Sequence, residues 1–185
     1  LEYKALNSPI DIYSDDSVTA IVQNNSENDT TSLLICSEGQ YKQYDSISIT
    51  QVKKADAENV FILDNAKIFS INISTLLATP LVAINESQLT GTYFDLNENY
   101  LITAFGKNAL VYEKTLDGYV YKTTFKVNAD YPVAINEKGQ IFYMLSENGI
   151  TSLYYSAIDD LTTQNLLLES IHPSKMVANN DYLYF

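Results

Sequence analysis

The chain has 185 residues, and its 11 basic against 23 acidic side chains leave a formal charge of −12. All the cations are lysines, and there is no arginine and no tryptophan. That balance excludes direct nucleic-acid binding, which draws its affinity from cations set against phosphates, and it disfavours an anionic membrane surface. A hydrophobic content of 46% is that of a chain with a packed core, and no apolar run reaches the roughly 20 residues a membrane helix needs.

In chain order, short segments rich in β-branched and aromatic residues alternate with polar turns. The first group has strands at 10–13, 18–21, 32–36 and 41–49. Cys36 lies in the third of these, behind Leu33-Leu34-Ile35, and reads as a small core residue. As the one cysteine it excludes an internal disulfide. The second group has strands at 52–55, 60–63, 67–71 and 76–84. The third has 92–95, 100–103, 109–113 and 119–127. The fourth has 132–135, 141–144, 152–157 and 164–171, and residues 159–168 could hold a single helical turn. A last pair spans 175–178 and 182–185. Residues 1–6 read as an outer strand of a preceding group. Punctuation such as Ser37-Glu38-Gly39, Leu116-Asp117-Gly118 and Glu147-Asn148-Gly149 separates the strands.

The groups repeat. A polar turn precedes an apolar strand at Asp15-Asp16-Ser17, Ala57-Glu58-Asn59, Asn97-Glu98-Asn99, Lys138-Gly139-Gln140 and Asn180-Asp181. The residues that open those strands, Val18, Val60, Tyr100, Ile141 and Tyr182, follow one another at 42, 40, 41 and 41 residues. Four strands in about 40–45 residues is the period of a propeller blade. A helical repeat is disfavoured because no segment keeps i, i+3, i+4 apolar spacing over a dozen residues.

The third unit, with Tyr93-Phe94-Asp95-Leu96-Asn97-Glu98-Asn99-Tyr100, then Ala109-Leu110-Val111-Tyr112-Glu113 and Gly118, resembles a divergent WD40-type blade. The fourth, with Gly139-Gln140-Ile141-Phe142-Tyr143 and Leu153-Tyr154-Tyr155, is similar to bacterial secreted propeller repeats. The Trp-Asp dipeptide and Gly-His pair of WD40 repeats are absent. The resemblance implies an all-β, β-propeller fold of four-stranded antiparallel blades within a single domain, 1–185. Its units lie at 8–50, 51–90, 91–129 and 130–172, with part of a fifth at 173–185. The count of units, four whole and two strands of a fifth, points to a window of a longer propeller, or one completed by another chain or segment.

Candidate chemistry is sparse. Asp95-Leu96-Asn97-Glu98-Asn99 mimics the start of an EF-hand loop, but Tyr100 stands where the loop needs glycine and Gly106 where it needs glutamate. His172 is the one histidine, so no multi-histidine metal site is available, and no Gly-x-Ser-x-Gly nucleophilic elbow is present. The acid pairs Asp15-Asp16 and Asp159-Asp160 sit in turns. No phosphate-cradling glycine motif is present. The expectation is therefore no catalytic residue, no metal and no cofactor.

In an up-and-down blade, alternate connections share a face. One face collects Asp15, Asp16, Glu38, Glu58, Glu98, Asp117, Glu137, Asp159, Asp160 and Asp181. The other carries Lys53, Lys54, Lys107, Lys175 and His172 with the apolar Phe105 and Tyr131. Candidate binding residues are thus Phe105, Lys107, Tyr131 and His172 for specific contacts, and Asp15, Asp16, Asp159 and Asp160 for steering a basic protein partner. The expected function is a non-catalytic scaffold for protein–protein interaction. The alternative is a secreted or surface propeller that binds glycans or, as the lesser option, hydrolyses them.

Overall fold

A computed structural model describes residues 8–25, 29–54, 56–84 and 88–185, so the strand expected at 1–6 lies outside the described residues. The described residues contain strands and turns and no helix. They belong to two compact units, Leu1–Leu81 and Val82–Phe185.

The first unit holds two antiparallel sheets, each with its strands in sequence order. One comprises β1 (Pro9–Ser14), β2 (Val18–Asn25), β3 (Thr30–Ser37) and β4 (Gln40–Ser46). The other comprises β5 (Ile49–Lys54), β6 (Asn59–Asp64), β7 (Lys67–Asn72) and β8 (Ala78–Pro80). Alternation sends Val18, Ala20 and Val22 of β2 and Leu33 and Ile35 of β3 into a core shared with Val52, Val60, Ile62 and Ile71 of the second sheet. The middle strands are buried on both faces, which is why β6 reads as an unbroken apolar run.

The second unit repeats the plan. One sheet has β9 (Tyr93–Leu96), β10 (Tyr100–Phe105), β11 (Asn108–Thr115) and β12 (Gly118–Lys126). The next has β13 (Ala134–Ile135), β14 (Gln140–Glu147), β15 (Ile150–Ala157) and β16 (Asp160–Glu169). A two-stranded sheet of β17 (Val177–Ala178) and β18 (Leu183–Tyr184) follows. Ile102, Val111, Val133, Ile135, Ile141 and Tyr143 form the core between the two larger sheets. The Tyr143 hydroxyl stays satisfied there by Ser156 Oγ at 2.9 Å. A second cluster joins Ala134, Phe142, Met144 and Leu153 to Met176, with Tyr131 packed against it.

Each first hairpin is closed in the same way. The Asp15 carboxylate accepts from the Ser17 and Val18 amides, both at 2.8 Å. Asp56 accepts from Glu58 and Asn59, Asn97 from Asn99 and Tyr100, and Asn179 from Asp181 and Tyr182. Asn136 reaches Gln140 instead, because that turn is one residue longer and passes through Gly139 at φ +73°. These are Asx turns: a short side chain takes the amides that the reversing backbone cannot pair with itself.

A second set of bonds links neighbouring sheets inside each unit. Asp11 of β1 accepts from the Val52 amide of β5 at 2.9 Å. Asp95 of β9 accepts from the Ile135 amide of β13 at 2.9 Å, and Asn97 Nδ2 donates to the Asn136 carbonyl at 2.8 Å. First strands therefore lie side by side, while fourth strands such as β12 and β16 are largely exposed.

Four expectations need correction. Residues 41–49 are not one strand: β4 ends at Ser46, and Ile49 begins β5 with its amide on Thr31 Oγ1 at 2.6 Å. The strand expected at 76–84 shrinks to Ala78–Pro80, since Leu76 sits at φ +58° and Pro80 has no amide to donate. The chain then leaves β7, and the Ile84 amide bonds Tyr119 of β12 at 2.7 Å. Residues 160–169 are strand, not a helical turn, because Asp160 takes the Thr163 amide and both threonine hydroxyls at the hairpin start. Cys36 is exposed, not core: it shares the face of Leu34 but lies two residues nearer the end of β3, beside the Glu38-Gly39 turn.

Asn97 is buried and carries both kinds of bond, whereas Asn179 is exposed and carries only the turn bonds. Asn97→Ala is expected to lower unfolding stability by about 2 kcal/mol and Asn179→Ala by under about 1 kcal/mol, because only the first leaves part-buried amides and a buried carbonyl without a partner. Urea midpoints of the two variants check this, and equal losses would contradict it.

Candidate functional site

The candidate residues separate by position. Asp15 and Asp16 belong to the first unit, and the other six belong to the second. Within the second unit, successive antiparallel strands put the β10–β11 turn, the 127–133 connection, the β14–β15 turn and the 170–176 connection at one end. The β9–β10, β13–β14 and β15–β16 turns lie at the other.

At the first end, Phe105 closes β10 and is 66% exposed. The turn it opens passes through Gly106 at φ +60° and is pinned from across: the Ala129 amide donates to the Gly106 carbonyl and the Val127 amide to the Lys107 carbonyl. The connection then folds on itself, with the Tyr131 amide on the Asn128 carbonyl at 3.2 Å. Asn128 holds the neighbouring hairpin too, through Ser146 Oγ at 2.7 Å. The half-buried Tyr131 places its hydroxyl 2.6 Å from His172 Nδ1, with the two ring centroids 5.7 Å apart. Main-chain bonds thus tie the Phe105–Lys107 turn to the connection that carries Tyr131, and a side-chain bond ties Tyr131 to His172. Sequence reasoning named these four residues but not their pairing. The 41-residue separation of Tyr131 and His172, one blade period, was the available signal.

At the opposite end the acids have structural work. Asp159 is ion-paired with Lys122 at 3.5 Å, and Lys122 also meets Glu113 at 3.6 Å and lies 5.2 Å from the Tyr100 ring centre. Desolvation pulls the Lys122 ammonium down, but Tyr100, Glu113 and Asp159 outweigh it and hold the group above its usual range. Asp160 sits below the usual carboxylate range because the Thr163 and Thr162 hydroxyls and the Thr163 amide donate to it. Lys122 was not anticipated; a lone lysine on an outer strand gives no sequence signal. In the first unit Asp15 is engaged by its turn, and Tyr13 donates to it as well at 3.1 Å. Lys53 lies at the acidic end, contrary to expectation, because β5 runs Ile49–Lys54 towards the β5–β6 turn. No group of three metal-ligating side chains able to hold an ion occurs among the described residues.

Glu137, at that end of the second unit, is shifted in the opposite direction to Asp160. Partial burial pushes its carboxyl up, and Glu98 and Asp95 push it further. A carboxyl raised in the folded state lowers stability once both states are ionised, and the penalty vanishes below the unfolded pKa of about 4.3. Glu137→Gln should therefore raise stability at pH 7 by on the order of a few tenths of a kcal/mol, with solvent screening keeping the gain small. The gain should disappear as the pH falls below about 4. Urea midpoints at the two pH values measure this; a gain confined to acid pH would contradict it.

No protein-family model and no curated protein matches the sequence. Solved structures do match. Hsv2 of Kluyvelomyces marxianus aligns with TM-score 0.57 at 10% identity over 87% of this chain and 48% of its own. A quinoprotein alcohol dehydrogenase-like protein of Bacteroides thetaiotaomicron aligns with TM-score 0.58 at 10% identity over 96% of this chain and 47% of its own. A functionally unknown protein of Desulfotomaculum acetoxidans gives 0.59 at 10% identity over 90% and 57%. The chain thus spans about half the length of the structures it matches. At this identity the likeness concerns fold alone. The first two neighbours are propellers, and with sheets of four antiparallel strands in sequence order the fold of this chain is all-β, of the β-propeller class.

Proposed function

We propose that this chain is a non-catalytic β-propeller scaffold that binds a protein partner through the loop surface of its second unit. The observation that carries the reading is the turn bearing exposed Phe105, pinned to the connection that carries the Tyr131–His172 pair. Affinity at protein interfaces concentrates in a few aromatic and Arg-like anchors held rigidly, because little side-chain freedom is lost on binding. An exposed aromatic on a pinned turn and a half-buried tyrosine on the connection bonded to it fit that requirement. The acidic turns at the opposite end would hasten encounter with a basic partner without fixing the contact. The repeat itself is read as a divergent WD40-type unit, on the third-sheet residues Tyr93–Leu96 and Tyr100–Phe105. Glycan hydrolysis sits less well with the acids, since Asp15 and Asp160 are already engaged by turn donors.

The test uses the Phe105→Ala/Tyr131→Ala double variant. Proteins retained from the native cell extract by the wild-type chain are purified and rebound singly. The reading expects at least one to rebind and to lose about tenfold or more in affinity with the variant, the size of one or two interface anchors. If no purified protein rebinds, or wild type and variant bind alike, the reading fails.

A further inference from the structure

In the second unit the β9–β12 and β13–β16 sheets have four strands each, but β17 and β18 stand as a pair, with no strand on the outer edge of β18 among the described residues. The repeat shows what belongs on that edge. Asn97 and Asn179 occupy the same place. Each donates its amide to the carbonyl three residues on, that of Tyr100 or Tyr182, and its side-chain oxygen takes the amide of the same residue. Leu183 therefore corresponds to Leu101. Leu101 has a partner on each side, Leu96 of β9 and Tyr112 of β11. Leu183 has Ala178 of β17 on one side and no strand on the other.

The peptide groups a further strand needs are aimed outwards. The Tyr182 carbonyl turns inwards, to the Asn179 amide at 2.9 Å. Inward and outward groups alternate along an antiparallel strand, so the amide and carbonyl of Leu183 face the open edge. In the β9–β12 sheet the matching edge is filled. The Lys114 amide of β11 reaches the Asn99 carbonyl at 2.7 Å, and the same alternation turns the peptide groups of Leu110 and Tyr112 towards β10.

Beside the edge runs a groove of about 250 Å³. Phe142, Tyr155 and Leu167 of the β13–β16 sheet line it, with Asn136, Gln140 and Leu183. The Phe142 and Tyr155 rings lie 6.1 Å apart. Asn136 is engaged: its Nδ2 donates to Gln140 Oε1, and its Oδ1 accepts the Gln140 amide. The groove is smaller than the pockets that hold drug-sized ligands and has room for one or two side chains. Successive side chains of a strand point to opposite faces, so every second side chain of a strand added to β18 would enter it.

We propose that the open edge of β18 and this groove take an extended strand of a partner protein, with an aromatic or branched side chain seated on Phe142 and Tyr155. An unpaired edge is a template for another chain. Main-chain bonds to Leu183 supply affinity, and the groove supplies preference among side chains, as in strand addition to other sheet edges. The site lies with the β13–β14 and β17–β18 turns, at the end of the unit opposite Phe105, and does not depend on that surface.

The probe is the blocked peptide Asn-Ala-Leu-Val-Tyr-Glu-Lys-Thr, the sequence of β11, which pairs with the counterpart of β18. Ala109 and Val111 of that strand face the core shared with the following sheet, so Leu110 and Tyr112 are the side chains that a strand on β18 would turn into the groove. The peptide is titrated into the isotope-labelled full chain and followed by amide chemical shifts. Saturable shifts are expected at residues 182–185, 140–142 and 155. N-methylation of the peptide at Leu110 and Tyr112, which removes the donors aimed at β18, should weaken binding about tenfold or more, and N-methylation at Val111 and Glu113 less than about twofold. Serine at the Leu110 and Tyr112 positions of the peptide should weaken it at least about fivefold. No shift at Leu183, equal weakening by the two methylations, or a serine peptide that binds as well would each overturn the proposal. So would dimerisation of the chain that the peptide competes away, because the edge would then belong to a second copy. A loss of partner binding in the Phe105 and Tyr131 variant leaves all of these readings unchanged.

Discussion

A four-stranded sheet has two edges, and each edge carries peptide groups that no strand of that sheet can pair. In this chain the first-strand edge is served from the neighbouring sheet by a carboxylate: Asp11 takes the Val52 amide, and Asp95 takes the Ile135 amide. A bond from charged acceptor to buried amide is about twice as strong as one between neutral groups. It also fixes how deep one first strand sits against the next. In the second unit Asn97 adds a bond to the carbonyl of Asn136, the residue that caps the following hairpin. One side chain thus holds its own turn and the position of the next.

That constraint organises the apolar interior. Once first strands are set side by side, the middle strands of the adjacent sheets within each unit pack on one another, and the apolar runs of β6, β10 and β14 are buried. Burial of this kind contributes roughly 25 cal/mol per Å² of apolar surface and supplies most of the stability, but it is non-directional. The aspartates and asparagines give it direction. The exposed ends of the sheets are then rigid frames for short loops, the usual place for binding residues on a stable scaffold. The Gly106 turn and the Asn128 connection are held by main-chain bonds that belong to the frame, so Phe105 and Tyr131 are presented with little freedom to lose.

Much of the fold was legible because both signals that define it are local. Segments rich in β-branched and aromatic residues marked the strands, and turn residues at a 40–42-residue interval marked the sheets. The failures have local causes of the opposite kind. Pro80 and the positive φ of Leu76 cut short a segment whose composition reads as strand. Ile49 looks continuous with β4 until Thr31, far away in sequence, takes its amide. Cys36 follows three buried residues yet sits where β3 runs out. The linking carboxylates were hidden for a different reason. Asp11 and Asp95 stand at different depths in their first strands, two residues apart relative to Val18 and Tyr100, so the repeat does not align them. The candidate site was legible as residue types on shared connections. The Tyr131–His172 pairing needed the blade-to-blade packing that places successive connections together.

The dependence of the fold on these cross-sheet bonds is tested most directly by amide hydrogen exchange in the unmodified chain. Val52 and Ile135 lie on first-strand edges, where an amide without a partner would exchange almost as fast as one in a loop. The account predicts protection within about tenfold of Ile62 and Ile102 in the middle strands, since opening either edge amide requires separating two sheets. Exchange of Val52 and Ile135 at loop-like rates, with Ile62 and Ile102 still protected, would contradict it.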